Sequence, residues 1–321
     1  MATWSTEDLS PHERFDGWLE LRVARHGGGR AELSREQRAQ FHASYATCPV
    51  GDTMVSQVRT SAYRFSRSAA DIARMPVDRF VIVQQLGAGC VIDPGHDDAV
   101  HVAGGGFSTH HANVPYALLP INEQTGFHAN VVAIPFARCE PFIARKCELD
   151  IRPLAAGHGI PALFECYFRS FVEQTPHLTG AAAEIAVDTL LHLALVARGL
   201  ASTKAEPTRD AIRAGQLEAA QQFIARNFAS TDLTPARAAQ AVGISVRQLH
   251  LLFEPTGTTF SRYLLALRLN RARQLLALRP DRPVIEVALA CGIESQTVFY
   301  RAFRQSFGMS PSDCRAMNRT A

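Results

Sequence analysis

The sequence predicts an α+β protein in which an antiparallel β-rich domain precedes an all-helical domain. Short glycine-broken segments rich in Val, Ile and Phe between residues 79 and 135 indicate strands, whereas the pattern from residue 209 onward is helical throughout. With 321 residues, 47% of them apolar, the chain can bury two separate cores. We place the first domain at residues 1–199, a linker at 200–212 and the second domain at 213–318.

The first domain is predicted to begin without regular structure and to continue as strands. Residues 1–60 show no clear period and are expected to be irregular or partly helical. Runs of β-branched and aromatic residues, bounded by glycine and proline, predict strands at Phe80–Leu86, Cys90–Ile92, Val100–Ala103 and Phe127–Ile134. Short strands with glycine turns at this spacing are typical of a small antiparallel barrel or sandwich.

Two amphipathic helices are predicted to flank these strands. Ile160–Val172 carries large apolar residues at helical spacing, and Gly180–Arg198 carries a stripe formed by Ile185, Leu190, Leu193 and Val196. These apolar faces either pack on the barrel or mediate dimerisation. The polar, proline-bearing stretch Ala201–Thr208 that follows is the best linker candidate, and it lies within the linker placed at 200–212.

Charge is distributed unevenly along the chain. The net charge of +3 divides into +7 from residue 211 onward, where fourteen arginines face seven carboxylates, and −4 over the preceding residues. A basic C-terminal third beside a mildly acidic remainder favours contact with a polyanion by that third alone.

Two stretches of the second domain repeat one pattern. Ala238–Phe253 and Val287–Phe303 each contain a short alanine-bearing segment, a Gly-Ile pair, a helix-capping residue, and a second amphipathic segment that ends in Phe. This order is typical of a helix-turn-helix, in which two helices cross over a turn of three or four residues. The alanine allows their close approach, and the glycine ends the first helix in the left-handed conformation.

Capping residues and a spacer complete the predicted arrangement. Ser245 is expected to cap the second helix of the first unit, and Glu294 or Ser295 that of the second. Between the units, Phe260–Leu278 is predicted to form one long helix. Such a spacer can hold both second helices on one face of DNA, about one turn (~34 Å) apart.

The second helix of each unit is expected to bury one face and to present polar side chains on the other. The buried residues are predicted to be Leu249, Leu252 and Phe253, and then Val298 or Phe299, Ala302 and Phe303. The outward residues predicted to contact DNA are Arg247, His250, Gln296, Thr297, Tyr300, Arg301 and Arg304. Arginine and glutamine suit bidentate contacts with base edges, and threonine and tyrosine suit methyl or phosphate contacts. The alternative is a helical bundle with arginines on its solvated face, but two matching copies and the basic excess favour DNA.

These residues resemble the AraC/XylS family of bacterial transcription regulators. Gly292–Arg315 resembles the family signature around its second helix-turn-helix, most specifically at Arg301-x-Phe303, Phe307-Gly308 and Ser310-Pro311. The first unit matches at Ser245, Leu249, Phe253, Gly257, Tyr263 and along Arg268–Leu276. Leu251 stands where the family often has arginine, so one base or phosphate contact is expected to be missing there. The resemblance implies that Arg301 and Gln296 make the main contacts with DNA bases. It also implies that Arg301 contacts phosphate in part.

The first domain resembles, more distantly, the cupin-like sensor domain of the same family. The resemblance implies a cupin-like antiparallel β-barrel with flanking helices that binds a small effector, dimerises, or does both. Five histidines are similar to the metal ligands of cupin enzymes, namely His96, His101, His110, His111 and His128. Their spacing reproduces no clear metal motif, so we expect exposed or core histidines and neither a metal nor a cofactor.

The expected function is sequence-specific transcription regulation, as an activator that responds to a small-molecule effector without a catalytic step. The expected partners are double-stranded promoter DNA and RNA polymerase, with a small effector and a second copy of the chain as further candidates. One alternative is a cupin-type metal enzyme fused to a DNA-binding module, which needs three or four converging His or Glu ligands. Another is a ligand-independent dimeric DNA-binding protein.

The sequence also favours a cytoplasmic location and no membrane contact. The N-terminus lacks the apolar core of a signal peptide, and Asp188 and His192 interrupt the longest apolar run. The cysteines are odd in number and form no CxxC pair, which favours buried inert thiols over disulfides or a zinc site and leaves a redox sensor as the alternative. They are Cys48, Cys90, Cys139, Cys147, Cys166, Cys291 and Cys314.

Overall fold

The chain divides into two compact units, Met1–Ile212 and Arg213–Ala321. The structure, a computed structural model, describes residues 1–95, 98–122, 124–143, 149–201, 206–279 and 281–317. Within these ranges the first unit contains antiparallel strands and helices, and the second contains helices without strands. The predicted α+β class is therefore confirmed.

The strands of the first unit form two antiparallel sheets. They are β1 (Ala2–Ser5), β2 (Arg30–Glu32), β3 (Ala43–Val50), β4 (Thr53–Thr60), β5 (Arg64–Arg67), β6 (Arg79–Gln85), β7 (Gly89–Asp93), β8 (Val100–Ala103), β9 (Phe107–His111), β10 (Tyr116–Pro120), β11 (Phe127–Pro135) and β12 (Arg152–Pro153). Among the described residues, the larger sheet has the order β1-β3-β4-β11-β6-β9-β12 and the smaller β2-β5-β10-β7-β8. The four predicted strands correspond to β6, β7, β8 and β11, with ends shifted by at most two residues.

The expectation that residues 1–60 are irregular or partly helical is confirmed for the helices and wrong where strands form. That segment holds β1 to β4 and two helices, α1 (Arg14–His26) and α2 (Arg35–Ala39); a third short helix, α3, follows at Ala69–Arg74. Several inward positions of β3 and β4 are polar, including Thr47, Ser56 and Thr60. Because these hydroxyl-bearing residues occupy buried positions, the apolar alternation that reveals a half-buried strand is absent from the sequence.

The larger sheet separates a helical layer from an interior cavity, and its strands alternate between the two. On β6, Phe80 and Ile82 belong to the core formed with the helices that follow the strands, whereas Val81 and Val83 line the cavity. The pleat explains this arrangement because successive side chains of a strand point to opposite faces.

Those helices are α4 (Ile160–Gln174) and α5 (Gly180–Ala197), and both agree with the predicted helices to within two residues at each end. Their apolar faces pack against the sheet in the same core as Phe80. Ile185, predicted to lie in the apolar stripe of α5, is 67% exposed, so that assignment is wrong. Among the described residues, α5 is the one helix with the length and composition to cross a membrane. Eight of its side chains are buried in this core, which accounts for its apolar character.

A second core of the first unit lies on the side of α1 and is rich in aromatic rings. Phe15 and Trp18 of α1 are buried there with Phe41, Tyr63 and Phe127. Several of these rings meet edge to face, with centroids 5.1 Å apart for Phe15 and Phe41 and 5.4 Å apart for Tyr63 and Phe127. Helix α1 thereby closes one side of the sheet pair.

The second unit is built from helices. They are α6 (Glu206–Asn227), α7 (Pro235–Val242), α8 (Val246–Phe253), α9 (Phe260–Leu278), α10 (Val284–Ala290), α11 (Gln296–Phe307) and α12 (Pro311–Met317). The predicted spacer helix Phe260–Leu278 is α9 and is confirmed. The predicted linker 200–212 is helical from Glu206 onward, and positions 202–205 lie outside the described residues.

Candidate nucleic-acid interface

The first helix-turn-helix consists of α7 and α8, and its ends are set by local residues. Thr234 caps α7, and Gly243 ends it in the left-handed conformation at φ +72°. Ser245 caps α8 as predicted: its hydroxyl accepts a hydrogen bond from the Gln248 amide at 3.2 Å. The Ser245 amide donates in return to the Gln248 side chain at 2.9 Å, which completes a capping box.

The second helix-turn-helix consists of α10 and α11. Gly292 adopts φ +73° in the turn, and Ile293 is buried beside it. Of the two predicted caps, Ser295 is the one observed, since its hydroxyl accepts from the Val298 amide at 3.3 Å. Glu294 is exposed.

Helix α9 joins the two helix-turn-helices, because it packs in the core of each. Leu264, in its first half, packs in the core of α7 and α8, and Leu269, in its second half, packs in the core of α10 and α11. Arg268 lies between them and donates to the carbonyl oxygens of Phe228 and Ser230, both at 2.8 Å. This arginine ties α9 to the segment after α6, so part of the basic excess is structural.

The serine caps place α8 and α11 in a common register. Counting from Ser245 and from Ser295, the fourth and eighth residues are buried in both helices, namely Leu249 and Phe253 in α8 and Phe299 and Phe303 in α11. Of the two predicted inward candidates of α11, Phe299 is therefore the buried one and Val298 is exposed. The outward faces can be compared position by position in this register.

Most of the predicted contact residues lie on the outward faces. Arg247, His250, Gln296, Thr297, Arg301 and Arg304 are exposed. Within the described part of the chain, the side chains of Arg247, Gln296 and Arg301 make no hydrogen bond or ion pair. Tyr300 differs, because it is half-buried and its hydroxyl lies 3.1 Å from the hydroxyl of Ser312. Its ring is therefore partly committed to packing against α12.

The common register shows that the two outward faces carry different chemistry. Leu251 of α8 occupies the position of Arg301 in α11, and it is 48% exposed. Val246 occupies the position of Gln296 and is also exposed. Sequence reasoning did not identify Val246 and Val298 as surface residues. Counting from the serine caps would have placed both outside the buried fourth and eighth positions. Exposed valines can contact thymine methyl groups in the major groove.

The signature residues at the end of α11 and after it have local structural roles. The rings of Phe303 and Phe307 lie 4.6 Å apart, and Gly308 ends α11 at φ +71°. The Ser310 amide then donates to the Asp313 carboxylate at 3.1 Å, and the Asp313 amide donates to the Ser310 hydroxyl at 3.1 Å. Hydrogen bonds to the carboxylate from the Ser310 side chain and then from the Ser310 amide lower the pKa of Asp313. The reciprocal amide bonds of Ser310 and Asp313 fix the start of α12.

The histidines of the first unit are dispersed. His110 and His111 are neighbours on β9 and point to opposite faces: His110 lines the cavity, while His111 lies 3.0 Å from Asp78. His101 is exposed, His128 is half-buried, and His96 lies outside the described residues. Across the part of the chain that the structure describes, no three His, Cys, Asp or Glu side chains group in a way that could hold a metal ion.

The described cysteines are free thiols. Burial raises the pKa of Cys90 and of Cys139 to about 12 and that of Cys291 to about 11, which opposes thiolate formation and redox reactivity at these three. Cys314 is also buried, and Cys48 and Cys166 are half-buried. Cys147 lies outside the described residues.

Comparison with known proteins agrees with this geometry. A helix-turn-helix domain model matches residues 238–317. The chain is 30% identical over 295 residues to the transcriptional activator NphR of Rhodococcus, a match that covers 86% of this chain and 81% of NphR. The crystal structure of the AraC-like transcriptional activator CuxR covers 90% of this chain and 99% of its own, with a TM-score of 0.51 and 20% identity, and supports the fold alone. The chain belongs to the AraC/XylS family.

A member of this family is a DNA-binding transcription regulator, so the predicted class of function is confirmed. The regulator CdhR of Pseudomonas aeruginosa matches over a shorter stretch: it is 43% identical over 86 residues, which cover 26% of this chain and 25% of CdhR.

Proposed function

We propose that this protein is a transcription activator that reads promoter DNA with two unequal recognition helices, of which α11 makes most of the base contacts. The observation that carries the proposal is the outward face of α11, where Gln296 and Arg301 are exposed and make no bond within the described chain. Activation rather than repression is supported by the relative NphR, which is a named activator.

The spacing of side chains on α11 supports major-groove contact. Gln296, Thr297, Tyr300, Arg301 and Arg304 recur at steps that bring them to one side of the helix, opposite its buried phenylalanines. The first residues of a recognition helix contact base edges in a helix-turn-helix. Gln296 and Thr297 therefore read bases, Arg301 contacts a guanine or a phosphate, and Arg304 contacts the DNA backbone.

Helix α8 contributes fewer contacts in this proposal. Arg247 and His250 are its exposed polar contacts, and Leu251 replaces the cation that α11 carries at the same position. The Gln248 side-chain oxygen accepts a hydrogen bond from the Ser245 amide in the capping box, which restrains this side chain as a DNA contact. The first helix-turn-helix thus orients the DNA-binding domain, while the second supplies most of the discrimination between DNA sequences.

The first unit is proposed to be a cupin-like sensor that regulates this domain. The support is its pair of antiparallel sheets around a cavity and the likeness of its fold to CuxR. We further propose that the protein acts in the cytoplasm, contacts RNA polymerase at the promoter and binds DNA as a homodimer.

The experiment is selection of bound sequences from random DNA by the purified full chain, followed by affinity measurements on the selected operator and on random DNA. Gln296→Ala and Arg301→Ala are expected to reduce the preference for operator, by about 1–3 kcal/mol for each good bidentate contact. Arg30→Ala is the matched control, because Arg30 is an exposed arginine of the first unit that pairs with Glu32 at 3.2 Å. Equal operator preference in wild type and both α11 variants would overturn the assignment of α11.

A further inference from the structure

The first unit encloses a cavity of about 320 Å³ between its two sheets and α1. Its apolar wall comes mainly from the inward side chains of β4, β6 and β11, including Val58, Val81, Val83, Ala129 and Val131. A volume near the lower end of the ~300–1,000 Å³ range of ligand pockets fits a small molecule with a ring-sized apolar body.

One face of α1 supplies polar groups to this cavity. Trp18, Arg22, Arg25 and His26 all line it, and their spacing places them on a single side of the helix. A third arginine, Arg79, reaches the wall from β6. No Asp or Glu is found among the described residues that line the cavity, so its fixed charge is positive.

Arg22 is a buried cation of the cavity wall without a described counter-charge. It is only 7% exposed, and its guanidinium lies over the Phe65 ring, 3.1 Å from the centroid. It donates to the Gly27 carbonyl and to the Tyr116 hydroxyl, both at 3.3 Å, and forms no ion pair with a described carboxylate. A buried charge normally has a counter-charge, because desolvation without one is costly.

Other polar atoms in the wall also lack partners. The hydroxyls of Thr60 and Ser108 and the Nδ1 atom of His110 are buried without a hydrogen bond in the described structure, and all three residues line the cavity. They come from β4 and β9, two strands of the same sheet. Buried hydroxyl and imidazole groups are normally hydrogen-bonded, so several unpaired groups around one cavity indicate a missing polar partner.

We propose that this cavity binds a small organic carboxylate with an apolar ring, whose carboxylate pairs with Arg22 and whose other polar atoms meet Thr60, Ser108 and His110. The arginine fork matches a planar carboxylate, and the valine-rich wall matches the ring. As the effector of a regulator this ligand rests on the function proposed above, whereas its binding to the first unit does not. Occupancy adds contacts between α1 and the sheets and so stabilises the first unit.

The test is calorimetric titration and thermal denaturation of the full chain without DNA, using benzoate, phenylacetate and cyclohexanecarboxylate, with the matching carboxamides and inorganic phosphate as comparisons. At least one carboxylate is expected to bind and to raise the melting temperature, about tenfold or more tightly than its amide. Binding of phosphate as tight as that of the carboxylates would reduce the site to a general anion site and overturn the ring-carboxylate proposal. Absence of binding by all three carboxylates, or equal binding of the amides, would also overturn it.

Variants of the cavity distinguish the contribution of charge to carboxylate binding from that of cavity shape. Arg22→Gln is expected to weaken carboxylate binding by about tenfold or more, and Val131→Phe to abolish it by filling the cavity from β11 without changing the charge. Arg14→Gln is the control, because Arg14 lies on α1 outside the cavity lining. Operator binding is measured separately on the same preparations. A protein that binds operator but no carboxylate refutes this inference alone, and one that binds carboxylate but no operator refutes the proposed function alone.

Discussion

Leu251 and Arg301 occupy the same position in their respective recognition helices, each six residues beyond the serine that caps the helix. Both side chains are exposed, and each lies between buried residues of its own helix. The two helix-turn-helix units therefore share a scaffold but present different outward side chains on it. At this position α8 lacks the cation that α11 carries.

Leu251→Arg is expected to tighten DNA binding, because the new guanidinium occupies on α8 the site that Arg301 occupies on α11. If the new side chain contacts a phosphate, the slope of log affinity against log salt should steepen by about 0.9. The measurement is a salt series of affinities on operator and random DNA. Leu278→Arg is the control, since Leu278 is an exposed leucine at the end of α9. An equal change in both variants would mean that only net charge matters.

The glycines of the two turns are expected to differ in their tolerance of alanine. Both have positive φ, so alanine at either position costs roughly 1–2 kcal/mol of stability. At Gly243 an added Cβ meets no atom within 4 Å, whereas at Gly292 it lies 2.8 Å from the Ala229 carbonyl oxygen. Gly292→Ala should therefore cost about 1–3 kcal/mol more than Gly243→Ala. Chemical denaturation of both variants measures this, and equal losses would contradict the packing of the second turn.

His110 is expected to make the first unit sensitive to acid. Burial, with a contribution from Arg198, lowers the pKa of His110 to about 3, so the unfolded chain takes up a proton at a higher pH than the folded chain. The stability contributed by neutral His110 is thus complete above the unfolded pKa of about 6.5 and is lost as the pH falls toward 3.

His110, which is 8% exposed, should account for about 2 kcal/mol of the stability lost between pH 7.5 and pH 5. His110→Asn is expected to reduce this acid sensitivity, whereas His177→Asn, at an exposed position, should leave it unchanged. Melting temperatures across that pH range measure the difference. Identical pH profiles for wild type and His110→Asn would show that His110 is not held neutral.

Arg138 is expected to matter more for stability than an isolated surface ion pair. It lies 2.8 Å from Asp52 in the β3–β4 turn and 2.7 Å from both Glu184 and Asp188 on α5. Burial opposes its charge, but hydrogen bonds to Asp188 and Asp52 raise the pKa of Arg138 overall. Removing it leaves three carboxylates facing one another.

Arg138→Ala should therefore destabilise the first unit by about 1–3 kcal/mol, measured by chemical denaturation. The control is Arg30→Ala, whose exposed pair with Glu32 is worth about 0–1 kcal/mol. Equal effects of the two substitutions would mean that the carboxylate cluster relaxes into solvent at no cost.

The sequence predicted the DNA-binding domain in detail because its signals are local. Ser245 and Gly243 determine helix ends through their own neighbours, and the apolar period of α9 lies within one segment of chain. The exposure of Arg301 and Gln296 follows in the same way from the apolar period of α11. The strands around residues 79–135 were predicted for a similar reason, since β-branched runs between glycines form a short-range signal.

By itself, then, the sequence determined the family, the two recognition units and most of the polar residues they turn outward. Tertiary structure alone decided the rest: that polar residues such as Ser56 face inward on β4, that Ile185 faces solvent, and that Arg22 of α1 meets Tyr116 of β10 in a cavity. These features depend on contacts between distant segments, which are strand pairing for Ser56 and Tyr116 and the packing of α5 on the sheet for Ile185. Pairing buries a side chain according to its partner strands rather than its own hydrophobicity, so no local period reveals it.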